Sequence, residues 1–185
     1  MAARRSYQLA EALQLSAFLV GLLYVIWVVN LIFHLGLNRF GIVPRTGFGL
    51  VGIAFSPLLH ASFAHLIANS IPLFVLLAVV FSDRHYYPAR TLALIWVGSG
   101  LGTWIIGRGD SVHIGSSSII FGLVVYLMVT GVLMKSWRSA LIALVVFFVF
   151  GTTLLGVLPH AGPLSWEGHL CGAAAGFWAA RHNHE

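Results

Sequence analysis

Apolar residues run through this chain in long unbroken stretches, without the alternation of a half-buried strand. Marked off by clusters of charge or turn residues, six stretches stand out: 13–35, 63–81, 91–106, 117–134, 140–158 and 168–180. Continuous runs favour helices over a closed barrel, because a helix satisfies its own backbone groups inside lipid. A crossing takes roughly 20 residues. The last stretch is shorter, so it must recruit flanking polar residues or sit where the bilayer is thinned. The pattern predicts an all-α membrane protein, a bundle of six transmembrane helices forming a single domain over residues 1–185.

Composition agrees with a membrane class: 59% of the residues are hydrophobic and only 8% are charged, too few to cover a soluble surface. The single cysteine, Cys171, lies inside the last apolar run, which excludes a disulfide framework and a thiolate metal site. The first 14 residues carry Arg4 and Arg5 but lead into a stretch longer than a signal-peptide core, with no small-residue cleavage pattern after it, so they read as the start of a retained span. Lysine and arginine stay on the cytoplasmic side of short loops. With the N-terminus inside, Arg4, Arg5, Arg84, Arg90, Lys135, Arg138 and Arg181 are cytoplasmic, and only Arg39, Arg45 and Arg108 are outside. This predicts a multi-pass protein of the cell membrane with both termini cytoplasmic. The basic balance then reflects inner-surface arginines facing anionic lipid, and no glycine-rich phosphate loop or other feature points to nucleic acid.

Under that topology the second, fourth and sixth spans start at the outer face, and their first turns carry His65 with Asn69, Ser117, and His169. Polar groups at this depth are costly unless partnered, and by default they mark a functional site facing the bundle interior. Peptide hydrolysis needs a nucleophilic oxygen, a base for its proton, and donors aimed at the developing oxyanion. Ser117 supplies the first and His169 the second. His65 and Asn69, four residues apart on one helical face, supply side-chain N–H groups beside the Ser117 amide at a helix start. No acidic third member is evident: Glu167, two residues before His169, points to another side of a helix, which favours a dyad over a triad. No cofactor is required. The tail His182-Asn183-His184-Glu185 lacks the further ligands of a metal site.

Three separated blocks carry a resemblance. His60-Ala61-Ser62-Phe63-Ala64-His65-Leu66-Ile67-Ala68-Asn69 is similar to the HxxxxHxxxN pattern of rhomboid intramembrane serine proteases, Gly115-Ser116-Ser117-Ser118 to their GxSx, and Gly168-His169-Leu170-Cys171-Gly172 to their histidine-bearing last helix. The chain resembles the minimal six-span form of that family. The resemblance implies a Ser117–His169 dyad, an oxyanion site of His65, Asn69 and the Ser117 amide, and substrates that are transmembrane segments of other proteins in the bilayer. It also implies that Phe121, one turn after the nucleophile, packs beside the catalytic histidine. Residues 36–59, with Asn38, Arg39, Pro44, Arg45 and Pro57, resemble the family's interfacial first outer loop, without its frequent Trp-Arg pair.

Two departures and several blander readings bear on this. Ser118 stands where glycine usually follows the nucleophile, which raises the alternative of an inactive rhomboid-like protein that only binds membrane segments. Ser116 and Ser118 are rival hydroxyls, but Ser117 alone is in the GxSx register with Phe121 four residues later. A small transporter or channel would also use six spans, yet no inverted repeat or pair of broken helices is visible. His34, His85, His160, His182 and His184 read as interfacial, His113 as a loop hydrogen-bonding group near Gly115, and His60 as structural. Gly172 and Gly176 form a small-xxx-small stripe that brings the last span close to a neighbour, expected to be the Ser117 span. The loop from Pro159 to Trp166, with Gly162 and Pro163, reads as a cap over the site. The sequence sets no oligomeric state.

Overall fold

In a chain so poor in charge, each apolar run closes its own backbone hydrogen bonds, and the computed structural model is accordingly helical. The structure describes residues 9–159, 162 and 164–184; Arg4, Arg5, His160, Pro163 and Glu185 lie outside the described residues. The helices are α1 (Leu9–Phe33), α2 (Val51–Phe55), α3 (Phe63–Ser82), α4 (Pro88–Ile106), α5 (Ser117–Leu133), α6 (Trp137–Phe150) and α7 (Trp166–His184). Among the described residues the one strand-like pairing is an isolated antiparallel bridge between Ile42 and His113.

Local chemistry sets the starts of these helices. The Ser62 side chain accepts the His65 N–H at 3.1 Å and caps α3. Pro88 opens α4, where its missing N–H costs nothing. At the other end of the fifth apolar run, α6 passes at Gly151 into a 3-10 segment, Gly151–Val157.

Four helical stretches are long and apolar enough to cross a membrane: Leu9–Phe33, Phe63–Ser82, Arg84–Ile106 and Trp137–Val157. The protein is an integral membrane protein on this pattern. The other two runs of the sequence reading fall short of that standard for different reasons. α5 has only 17 residues, about 25 Å of helix against a hydrocarbon core of about 30 Å. α7 is 19 residues long, and so is not the short element that residues 168–180 predict. Its ends are polar, from Trp166 and Glu167 to Arg181, His182, Asn183 and His184, and hydropathy alone therefore trims it.

α5 is the axis of the bundle, with Ile119, Ile120, Phe121, Leu123, Val124, Tyr126 and Leu127 all buried. α7 lies along it, α3, α4 and α6 also pack on it, and α1 packs outside on α3. α6 turns Phe147, Phe148 and Val149 outward, as a helix facing lipid tails does. The α5–α7 seam is built on glycine. A Cβ on Gly172 would collide with the backbone of Ser118, and one on Gly176 with the backbone of Gly122. In lipid, where apolar surface gives no drive for helix association, such close approach supplies the packing.

The segment between α1 and α3 is pinned along α4, from its middle to its C-terminal end, and to the turn before α5. Arg45 donates to the carbonyls of Ile105 at 3.0 Å and Gly107 at 2.8 Å. Trp104 Nε1 donates to Thr46 O at 2.8 Å and Trp96 Nε1 to Ile53 O at 2.9 Å. The Gly115 N–H donates to Ser56 O at 2.8 Å, so this loop directly positions the turn that leads to Ser117.

Candidate functional site

Ser117 is the first residue of α5, and the chain reaches it through Gly115 at φ +115, a left-handed conformation that suits glycine. Space demands glycine there as well. A Cβ at Gly115 would stand 2.7 Å from His65 Cε1 and 2.8 Å from its Nε2, so the imidazole of His65 lies directly over this turn.

His169 stands in the first turn of α7, where the Ser165 hydroxyl accepts the Gly168 N–H at 3.1 Å. Its Nε2 is 3.0 Å from Ser117 Oγ, across 52 residues of sequence. On the other side of the ring, Nδ1 is 3.0 Å from the Gly156 carbonyl. A carbonyl can only accept, so Nδ1 carries the proton and Nε2 presents its lone pair to the Ser117 hydroxyl. Phe121 stacks on the imidazole with centroids 4.1 Å apart and planes 6° from parallel. Gly156 is small by necessity, since a Cβ there would lie 2.9 Å from Phe121 Cζ and 3.3 Å from His169 Nδ1.

Ser117, His169 and His65 line one cavity of about 310 Å³, together with Arg108, Ser111, His113, Leu164 and Ser165. Asn69 does not line it. Its amide nitrogen is 3.1 Å from His60 Nε2, and Ser116 Oγ lies 3.5 Å from the same atom. The amide donates, so His60 Nε2 accepts and the ring is neutral. Burial, with the neighbouring His65 second, holds the His60 pKa down to about 4. His60 thus serves to orient Asn69 behind the cavity wall. Ser118 Oγ is 3.5 Å from Ser99 on α4 and turns away from the Ser117–His169 contact.

Three groups complete the surroundings of the site, of which only Gly156 was invisible at the level of sequence. Gly156 acts through a carbonyl, which no side-chain pattern announces. Glu167 does leave the His169 face, and it is 1% exposed with Oε1 2.8 Å from Arg108 Nε. His113 bonds to Ser165 Oγ at 2.6 Å and to Arg108 O at 3.2 Å, which links the loop before α5 to the cap of α7. Burial pushes the His113 pKa below the usual histidine value, keeping it neutral. Among the described residues no cluster of histidine, cysteine or carboxylate groups could hold a metal.

The family model for the rhomboid domain matches residues 48–184, which hold every site residue described above. An uncharacterised protein of Mycobacterium tuberculosis is 42% identical over 170 residues, covering 87% of this chain and 70% of its own. One from Mycobacterium leprae is 38% identical over 173 residues, covering 87% and 67%. A Bacillus subtilis relative named "Putative rhomboid protease YdcA" is 41% identical over 70 residues, covering 36% and 34%. No solved structure matches the chain. With a half-buried serine and a buried histidine at the starts of two helices joined along a glycine seam, and a domain match over most of its length, the chain belongs to the rhomboid family.

Proposed function

We propose that this protein is an intramembrane serine endopeptidase that cleaves transmembrane segments of other membrane proteins near the extracytoplasmic face. The observation that carries the reading is the 3.0 Å contact between Ser117 Oγ and His169 Nε2 in the tautomer that accepts a proton. Ser117 attacks the substrate carbonyl while its proton passes to Nε2. The oxyanion forms opposite the Ser117 N–H, with the side chain of His65 as a further donor, while Asn69, bonded to His60 off the cavity lining, stands behind it. His169 returns the proton to the leaving amine, the acyl-enzyme forms, and water hydrolyses it by the same proton relay. Phe121, Gly115 and Gly172 support the site by fixing the ring, the turn and the helix seam. No cofactor takes part.

The chain works here as one domain with six crossings, both termini cytoplasmic and the cavity open to the outer side of the cell membrane. The short α5 favours this, since a helix of about 25 Å starts below the membrane surface. A transmembrane helix hides its carbonyls in hydrogen bonds, so favoured substrates carry glycine, proline or other weak helix formers near that surface.

The test is reconstitution with a panel of single-span substrates, with cuts mapped by mass spectrometry. Wild type should cleave at one outer-leaflet position, and Ser117→Ala and His169→Ala should not cleave while remaining folded. Cleavage that survives in Ser117→Ala overturns the assignment. Binding of the panel without cleavage by wild type would favour an inactive rhomboid-like binder.

A further inference from the structure

The buried imidazole of His169 gains a positive charge each time it takes the Ser117 proton, and a cation out of water needs a partner. Serine proteases of the triad type supply a carboxylate at Nδ1. Here Glu167, the carboxylate nearest in sequence, is 1% exposed and committed to Arg108. The atom facing Nδ1 is instead the Gly156 carbonyl oxygen, 3.0 Å away.

Where that carbonyl comes from sets its strength. α6 runs at Gly151 into the 3-10 segment Gly151–Val157, so Gly156 lies in the last turn of a helical stretch that begins at Trp137. Carbonyls at a helix C-terminus have no partner within the helix, and together they carry about half a negative charge. The Leu158 N–H is spent on Leu155 O at 3.1 Å. Three residues beyond Gly156, where a 3-10 bond would find its donor, stands Pro159, which has no N–H. The local sequence thus leaves the Gly156 oxygen to the His169 Nδ1–H. Phe121 covers one face of the ring at 4.1 Å, so this bond and the Ser117 contact fix the ring within its plane. The geometry points to Gly156 as a positioning residue: its carbonyl, at the negative end of the α6 stretch, holds the imidazolium as an acidic third member would. The proton on Nδ1 stays there throughout, because a carbonyl oxygen is too weak a base to take it. The proton that moves goes from Ser117 Oγ to Nε2 and on to the leaving amine. The catalytic benefit rests on the proposed protease function; the hydrogen bond does not.

Replacing Val157 with its α-hydroxy acid analogue, by nonsense suppression in the full chain, turns the Gly156–Val157 amide into an ester. The backbone keeps its shape while the Gly156 carbonyl becomes a weaker acceptor. The same exchange at Leu158 is the control, since it removes the N–H that bonds Leu155 O and leaves the Gly156–Val157 amide intact. On a single-span substrate in proteoliposomes the ester at 157 should lower kcat about five- to tenfold with KM unchanged, and slow fluorophosphonate labelling of Ser117 by a similar factor. The control should change neither by more than about twofold. Nitrogen-15 NMR of the histidine-labelled protein in micelles reads the bond without catalysis, and in wild type it serves even if the ester at 157 does not fold. Wild type should show His169 protonated on Nδ1, with a low-field proton resonance that is lost in His169→Ala, moves upfield in the ester at 157 and stays in the control. Equal losses in the two esters, an unchanged kcat in the ester at 157, or an Nδ1 without its proton in wild type overturns the inference. A wild type that neither cleaves nor labels overturns the protease reading instead, and the resonance then decides whether Gly156 holds the ring.

Discussion

Replacing Gly172 with alanine asks the most of the α5–α7 seam. The added Cβ would stand 2.8 Å from the Ser118 carbonyl carbon and 3.0 Å from its Cα, and closer still to its oxygen. Ordinary contacts begin near 3.4 Å. Every colliding atom is backbone, so no side chain can rotate out of the way and the two helices must separate by about 1 Å. The wedge lies one residue from Ser117 and one turn from His169, and it stretches their 3.0 Å contact beyond hydrogen-bond range. A displacement of that size costs roughly 100-fold in kcat. Gly176→Ala drives the same wedge against Gly122, a turn further from the site, with a Cβ 2.7 Å from the Gly122 carbonyl carbon. Both variants should lose about 1–3 kcal/mol of stability, but Gly176→Ala should retain far more activity. Gly21→Ala is the control, since nothing lies within 4 Å of the added atom, and the helix gains about 0.5–1 kcal/mol from alanine. The assay is kcat on a single-span substrate in proteoliposomes, normalised to folded enzyme, beside unfolding in detergent. Equal loss of kcat in Gly172→Ala and Gly176→Ala would refute the reasoning, because it would mean that distance from the Ser117–His169 contact does not matter.

Phe121→Ala removes the ring stacked on His169, a contact worth about 1 kcal/mol; kcat should fall roughly five- to tenfold, and Phe121→Tyr should retain most of it. Gly115→Ala combines a backbone at φ +115 with a Cβ 2.7 Å from His65, and it should lower both thermal stability and kcat, with His65→Ala restoring only part of the stability because the dihedral strain remains. His60 is held neutral in the fold with its pKa down to about 4 against 6.5 unfolded. Between those values the unfolded chain binds the extra proton, so stability is full above pH 6.5 and is lost progressively down to pH 4, by about 3 kcal/mol. Unfolding measured across that range should show the slope, and His60→Gln should flatten it.

The helices were legible because each is a continuous apolar run, and in lipid such a run has one way to satisfy its backbone. Their ends were less so. α7 was trimmed at both ends because Trp166, Glu167, Arg181 and Asn183 look like loop residues to hydropathy, yet Glu167 is buried on Arg108 and Asn183 is buried too. The positions of Ser117, His65 and His169 on one cavity follow from three first turns at a common depth. Asn69, four residues beyond His65, was expected on that same surface, but its amide is taken by His60 instead. Gly156 was beyond reach, since its contribution is a carbonyl brought in by the 3-10 segment after α6.

The polar ends that hid α7 also explain how the least apolar helix stays in register. Glycine on the seam permits close sliding contact but does not fix height along the axis. Height is set at the two ends. At one end Arg108 and His113 hold Glu167 and Ser165. At the other, Asn183 Nδ2 donates to Thr91 Oγ1 at 2.8 Å, and Arg90 Nη2 donates to His182 Nε2 at 2.6 Å. A slide of one residue, about 1.5 Å, would break both sets at once and carry His169 off Ser117. The chain thus places charge and amide groups where hydropathy disfavours them because a seam of small residues, smooth enough for close packing, cannot by itself hold two reacting groups at the same depth.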